Sequence, residues 1–227
     1  MKSQQSGFTL VEIAIVLVII GLLLGGILKG QELINSAKVK NLANDFRVIP
    51  TYIYAYQDKF RSLPGDDPNA AGHVTGATTA TTPAGKQGNG VIDGFWNSTT
   101  QTDESYLFWQ QVRLANLASG STVLGDPTYV QKNALGGDIG ISSAASAYLQ
   151  IAGMSGTYQV CSKGVLGKFV KQLDVQMDDG QPCSGSLRAV PDDSPMGTTP
   201  VKGPNAPASC TGPDIDDATP YTVCMTF

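Results

Sequence analysis

The sequence predicts an α+β protein in which one long N-terminal helix packs against a small head built on an antiparallel β-sheet. Three observations predict it: an apolar run close to the N-terminus, a helical stripe of apolar residues after it, and short β-branched segments between turn residues in the last third. Helix and strands lie in separate parts of the chain, as is typical of α+β proteins. We expect a leader at residues 1–7, a helix at 8–60 and a head at 61–227.

The apolar run extends from Phe8 to Leu28, and Glu12 is its one charged residue. About 20 apolar residues in a helix cross a bilayer core of roughly 30 Å. A helix also satisfies its own backbone hydrogen bonds in lipid. We therefore expect residues 8–28 to form a transmembrane helix. An ionisable side chain is costly inside a membrane, so Glu12 is interpreted as functional.

The leader before this run is short and polar, with one positive charge at Lys2. A secretory signal has an apolar core of about 7–15 residues followed by an A-x-A-like cleavage site. The run here is longer, and no such site follows it before Lys29. The segment GFTLVE, between a basic leader and a continuous apolar stretch, instead resembles the N-terminal signature of type IV prepilins.

This resemblance implies cleavage after Gly7 by a membrane prepilin peptidase, N-methylation of the new terminus at Phe8, and a requirement for Glu12 in subunit assembly. The implied partners are that peptidase, identical or related pilin subunits, and an inner-membrane assembly platform. The implied location is a single-pass inner-membrane precursor with its head in the periplasm, then an extracellular pilus or a periplasmic pseudopilus.

A physical reason for Glu12 follows from the proposed cleavage. The exposed ammonium of Phe8 in a neighbouring subunit would pair with the Glu12 carboxylate inside a bundle of such helices. Because an unpaired buried charge is expensive, this pair would set the register between subunits. The alternative interpretation is a plain membrane anchor in which Glu12 is tolerated near one membrane face.

Beyond Lys29 the apolar residues become periodic. From Leu42 to Phe60 they recur at steps of three and four, which predicts the buried face of an amphipathic helix over residues 29–60. Leu63-Pro64-Gly65 should end this helix.

The head alternates loops with short regular elements. A Gly/Thr/Ala-rich loop runs to Gly90, and Asp103 is the expected N-cap of a helix that extends to Ser119. Residues 141–151 fit either a helix or a strand. The last third predicts strands at 157–161, 186–190 and 221–227 and a helix over 166–177.

The cysteines and the net charge bear on the compartment and the partners. A net charge of −4 without a basic block argues against nucleic acid as a partner.

All four cysteines, Cys161, Cys183, Cys210 and Cys224, lie beyond the apolar run, and an even number in an extracytoplasmic head predicts disulfides. Pairing of sequence neighbours, Cys161 with Cys183 and Cys210 with Cys224, is preferred. Crossed pairings such as Cys161 with Cys224 stay open.

Enzymatic chemistry is weakly represented. His73 lies in a Gly/Ala/Thr tract without a nucleophile motif, so we expect a solvated side chain. Neither a phosphate-binding glycine loop before a helix nor a C-x-x-C pair is present. We therefore expect a non-enzymatic protein without a cofactor.

Acidic clusters leave calcium as an alternative. Asp66-Asp67, Asn89-Asp93, Asp174-Asp178-Asp179, Asp192-Asp193 and Asp214-Asp216-Asp217 offer the oxygen ligands that calcium takes. Turns also use Asp and Asn to bind their own backbone. Some pseudopilins similar to this chain bind calcium in C-terminal loops, but no residue-level match carries over, and the sequence assigns no ligands.

The sequence therefore predicts a structural subunit, a pilin or minor pilin of a type IV pilus-like filament. One alternative is a pseudopilin of a type II secretion system, which shares the N-terminal features. A second, of a different class, is a membrane-anchored ligand-binding or adhesive head that does not polymerise. Glu12 discriminates, because it has a purpose in the first two and none in the third.

Overall fold

Four helices and four strands make up the computed structural model, which describes residues 9–145 and 147–227. The elements in chain order are α1 (Leu10–Phe60), α2 (Ala70–His73), α3 (Glu104–Leu114), β1 (Ile139–Ser143), β2 (Tyr158–Leu166), α4 (Gly167–Met177), β3 (Leu187–Pro191) and β4 (Pro220–Thr226). The long apolar helix and the small antiparallel sheet confirm the predicted α+β class. The chain divides into two units after Lys38.

The first unit consists of the N-terminal part of α1. Its large apolar side chains are exposed, from Leu10 at 91% to Leu28 at 67%. Among the helices described, α1 alone is long and apolar enough to cross a membrane. The β-branched residues here form a helix because, in lipid, no other backbone arrangement pairs its own polar groups within a single segment.

The second unit contains the rest of α1, whose buried face confirms the predicted stripe from Leu42 onward. The buried residues of this face are Val39, Leu42, Ala43, Phe46, Ile49, Ile53 and Tyr56. They belong to one apolar core together with residues of α3, α4 and all four strands. Steps of three and four residues place these side chains on one side of the helix, where they become buried together.

The sheet has the order β1-β2-β4-β3, with every neighbouring pair antiparallel. Strands β2 and β4 are central, and Cys161 stands directly opposite Cys224 in their register. A β-bulge interrupts the pairing between Ser162 and Val165. Gly164 lies within it at φ +78°, a conformation that glycine adopts without a steric cost.

Two predicted boundaries differ from the structure by more than one residue, and the structure decides one segment that the sequence left open. The undecided segment 141–151 contains the end of β1, and β2 continues to Leu166 rather than ending at Cys161. Helix α3 ends at Leu114, five residues before the predicted end at Ser119. Asn116 takes a left-handed conformation at φ +61°, and the N–H groups of Leu117 and Ala118 bind the Val112 carbonyl, so the helix cannot continue.

All four cysteines form disulfides, as predicted, but the preferred pairing of sequence neighbours is wrong. The structure pairs Cys161 with Cys224 and Cys183 with Cys210. The first bond joins opposed residues of the two central strands. The second joins the loop before β3 to the loop before β4, and its Cα atoms are 5.8 Å apart. The disulfide pairing depends on which strands and loops are neighbours in the folded head. Proximity in the sequence does not predict these neighbours.

Candidate assembly site and the acidic network of the head

Glu12 lies in the first turn of α1, where its carboxylate caps the helix. The backbone N–H and the hydroxyl of Thr9 both donate to Glu12 Oε2, at 2.8 Å each. The Glu12 N–H is 3.3 Å from Thr9 Oγ1. Thr-x-x-Glu with these reciprocal bonds is a capping box. This local role was readable from the sequence, but our sequence analysis missed it.

The apolar side chains that follow Glu12 form a continuous exposed surface. Those more than half exposed include Val11, Ile15, Leu17, Val18, Ile19, Leu22, Leu23, Leu24 and Ile27. Removing apolar surface from water is worth about 25 cal/mol per Å², so a surface of this size is stable only in lipid or against other protein. Gly21, Gly25, Gly26 and Gly30 interrupt it, and a Cβ at any of them meets nothing within 4 Å. Helices therefore can approach closely there.

The predicted cleavage site, Gly7 and Phe8, lies outside the described residues. Cleavage after Gly7 and N-methylation of Phe8 stay predictions, as does the pairing of Glu12 with a neighbouring Phe8.

In the head, Asp66 organises the loop around Asn89. Its carboxylate accepts the N–H groups of Gly88, Asn89 and Gly90 at 2.5, 3.2 and 2.8 Å. The Asn89 side-chain amide donates in turn to Asp93 at 3.1 Å. Burial raises the pKa of Asp66, and the three N–H groups oppose that rise. The GNGVIDG segment is therefore held as a loop by a buried carboxylate.

His73 is not the solvated loop residue that the sequence predicted. It ends the short helix α2, and its Nδ1 lies 2.7 Å from Asp67 Oδ2. The ring stacks on Phe60 with 5.7 Å between centroids, and the Tyr56 hydroxyl donates to the same Asp67 oxygen at 2.9 Å. Burial and the Asp67 carboxylate raise the pKa of Tyr56 strongly. Asp67 thus connects α1 to α2, because its carboxylate contacts Tyr56 of the first helix and His73 of the second.

Glu104, at the start of α3, is completely buried. Its Oε2 accepts the Asp93 N–H at 2.7 Å, while its Oε1 has no hydrogen-bond partner. Burial raises the pKa of Glu104 to about 8, and the nearby carboxylates of Asp66, Asp93 and Asp103 contribute to the rise. Glu104 is therefore largely protonated at neutral pH. The sequence analysis missed this network because its members are far apart in the chain.

One comparison with known proteins gave a match. Residues 2–28 match the family model described as the prokaryotic N-terminal methylation motif. Comparison with curated proteins and with solved structures gave no match. The matched segment contains the leader from Lys2 onward, the Gly7–Phe8 junction and Glu12, and it ends where the predicted transmembrane segment ends.

Proposed function

We propose, on the premise that residues 2–28 are a type IV prepilin-type signal, that this chain is a structural subunit of a type IV pilus-like filament. The signal confirms the resemblance stated from the sequence, and it implies processing by prepilin peptidase and assembly with related subunits. With the apolar helix α1, it fits a membrane-anchored precursor. Our proposal adds that the subunit is a pilin or minor pilin that ends in an extracellular filament.

The observation that carries the proposal is a charged Glu12 at the start of an exposed apolar helix. Both hydrogen bonds from Thr9 end on Oε2, and Oε1 makes none with the part of the chain that the structure describes, so we assign Oε1 to the cation. The ammonium of a processed Phe8 in the adjacent subunit is a cation at the matching depth. In a low-dielectric helix bundle such a pair is favoured over either charge alone. A plain anchor gives this charge no partner.

We also propose that the role is not enzymatic and needs no catalytic cofactor. His73 and Asp67, the one histidine–carboxylate contact among the described residues, are engaged with Tyr56 and Phe60 in packing. Glu104 holds its proton in an enclosed position. Both support a scaffold role for the head.

The test uses two substitutions of Glu12 that differ in what they remove. Glu12→Gln keeps the capping box, because Gln also serves at that position, but it removes the charge. Glu12→Val removes both. Glu32→Gln is the matched control, since it neutralises an exposed carboxylate of the same helix that pairs with Lys29.

We expect all three variants to insert in the membrane and to be cleaved at Gly7–Phe8, and only Glu32→Gln to assemble normally. Losing one member of a buried ion pair costs about 3–5 kcal/mol, which corresponds to far more than a tenfold loss of assembled filament. Electron microscopy and immunoblotting of the sheared fraction measure the amount of assembled filament.

If Glu12→Gln assembles normally and Glu12→Val does not, the role of Glu12 is to cap the helix and not to pair with Phe8. Filaments confined to the periplasm would favour the pseudopilin, and a wild-type chain that never assembles would favour the anchored head.

A further inference from the structure

Three carboxylates meet where α4 ends. Helix α4 ends at Met177, Asp178 and Asp179 follow it, and Asp174 lies one turn earlier. One carboxylate oxygen from each of the three lies within 4.8 Å of the others. Two oxygens on opposite sides of a calcium ion are separated by roughly 4.6–5.2 Å, twice the usual Ca–O distance. The spacing therefore suits oxygens that share one ion.

Asp174 is the unusual member of this cluster. The residue has no exposed surface, and neither of its carboxylate oxygens has a hydrogen-bond partner. The backbone N–H groups of Gly180 and Gln181 are close enough to oppose the rise in the Asp174 pKa, but neither reaches the geometry of a hydrogen bond with its carboxylate. Buried carboxylates are normally paired, hydrogen-bonded or bound to a metal ion. Both oxygens of Asp174 thus lack the partner that burial requires.

Across residues 9–145 and 147–227, no basic side chain forms an ion pair with this cluster. Burial raises the pKa of Asp174 to about 7, and the negative charges of Asp179 and Asp178 add to the rise, which the N–H groups of Gly180 and Gln181 only partly oppose. The end of a helix also carries partial negative charge, which adds to the repulsion.

The other two carboxylates are held in place by the turn. Asp178 Oδ2 accepts the Leu187 N–H of β3 at 2.8 Å. Asp179 accepts the Gln181 N–H at 2.8 Å and the Ser184 hydroxyl at 2.7 Å. The neighbouring Cys183 is fixed by its disulfide to Cys210.

We propose that Asp174, Asp178 and Asp179 form a binding site for a hard divalent cation of the calcium class. A set made only of oxygens selects calcium or magnesium over zinc, which takes nitrogen and sulfur ligands as well. Calcium fits better, because it accepts irregular geometry, whereas magnesium demands a near-ideal octahedron. Asp179 is exposed, so water completes the outer side of the coordination sphere.

The position of the site gives the cation a structural effect. Asp178 reaches β3 through Leu187, so an ion at this cluster ties the end of α4 to an edge strand of the sheet. The site precedes β3 and is separate from the Asp-rich loop before β4, which contains Asp214, Asp216 and Asp217. The proposal is independent of filament assembly.

The experiment titrates CaCl2 into the full chain in detergent micelles after dialysis against EDTA. Calorimetry measures the affinity, and thermal unfolding measures the stabilisation, at a pH about one unit above the Asp174 pKa of about 7. Asp174→Asn and Asp179→Asn each remove one ligand charge, and Asp179 is exposed, so its variant folds even if the buried substitution does not. Asp214→Asn is the matched control, because it removes an exposed acid from the other loop.

The wild-type chain should bind one calcium ion and unfold at a higher temperature with it. Extracellular calcium modules bind at roughly 0.1–1 mM, so titration to about 10 mM covers the range. Asp174→Asn and Asp179→Asn should weaken binding at least tenfold, while Asp214→Asn binds as the wild type does. Without calcium, Asp174→Asn should be at least as stable as the wild type. No stabilisation of the wild type by calcium, or equal loss in Asp214→Asn, would overturn the proposal.

Discussion

Buried acidic residues of the head are held in surroundings that oppose their ionisation, and Glu104 is the clearest case. Its carboxyl group is enclosed, with one oxygen bonded to the Asp93 N–H and the other without a partner. Ionisation there places a charge in a medium of low dielectric constant beside Asp66 and Asp93. Folding therefore favours the protonated acid, and the stability of the head depends on pH.

The direction of that dependence follows from the two pKa values. Glu104 has a pKa of about 8 when folded and 4.5 as the reference value for the unfolded chain. Between these values the folded state binds more protons, so stability falls as pH rises through this window. Each pKa unit is worth about 1.4 kcal/mol. Asp174 adds a similar decline between 3.8 and about 7 in calcium-free buffer.

Glu104→Gln should remove the Glu104 part of this decline. The variant should match the wild type near pH 4.5 and exceed it by a few kcal/mol near pH 8, because the amide cannot ionise. Urea unfolding at both pH values measures the difference. Asp58→Asn, at an exposed pair with Arg61, serves as a control that leaves the pH profile unchanged. A parallel profile for Glu104→Gln and the wild type would show that Glu104 ionises freely in the fold.

At the scale of elements, buried side chains organise loops that lack regular structure. Asp66 gathers three consecutive N–H groups of the loop at Gly88–Gly90. Gln111 of α3 accepts the Gly65 N–H at 2.6 Å and donates to the Thr78 carbonyl at 3.0 Å. These bonds fix the long segment between α1 and α3, because buried backbone groups need partners.

Asp66→Ala should destabilise the head by about 2–4 kcal/mol, because three N–H groups lose their shared acceptor. Urea unfolding at neutral pH measures the change. Asp126→Ala is the matched control: Asp126 also accepts a backbone N–H, that of Thr128, but this bond lies at the solvent-exposed surface, so its loss should stay within about 0.5 kcal/mol. If both substitutions lower the free energy of unfolding by the same amount, Asp66 does not have the structural role that we assign to it.

Local periodicity predicted the elements well. The stripe through Leu42, Phe46 and Ile49 and the spacing within α4 depend on neighbours three or four residues apart, which the sequence shows directly. The segment 141–151 was left undecided between helix and strand, and its first three residues end the short strand β1. The backbone hydrogen bonds that define β1 come from its pairing with β2, which the local sequence does not show.

Contacts between distant residues were beyond this kind of reasoning. The Cys161–Cys224 bond spans 63 residues and depends on the register of β2 with β4. Asp66 accepts hydrogen bonds from loop residues that lie 22 to 24 positions later in the chain, and no local sequence pattern predicts these bonds. The signature around Glu12 was predictable because leader, cleavage site and apolar run are contiguous.

At the scale of the whole molecule, the two units have different requirements. The N-terminal part of α1 exposes an apolar surface that needs lipid or other subunits, whereas the head has a closed core and two disulfides. Disulfides persist in oxidising compartments, and a positive leader residue stays on the cytoplasmic side. Both support our proposal that the head lies outside the cytoplasm, with Lys2 inside.

The most direct test of this account is the N-terminal mass of the subunit recovered from sheared surface filaments. Mass spectrometry of the N-terminal peptide should give a chain that begins at Phe8 and carries one N-methyl group. A chain that begins at Met1, a cleavage site elsewhere, or absence of the protein from the filament fraction while it is present in the membrane would contradict the account.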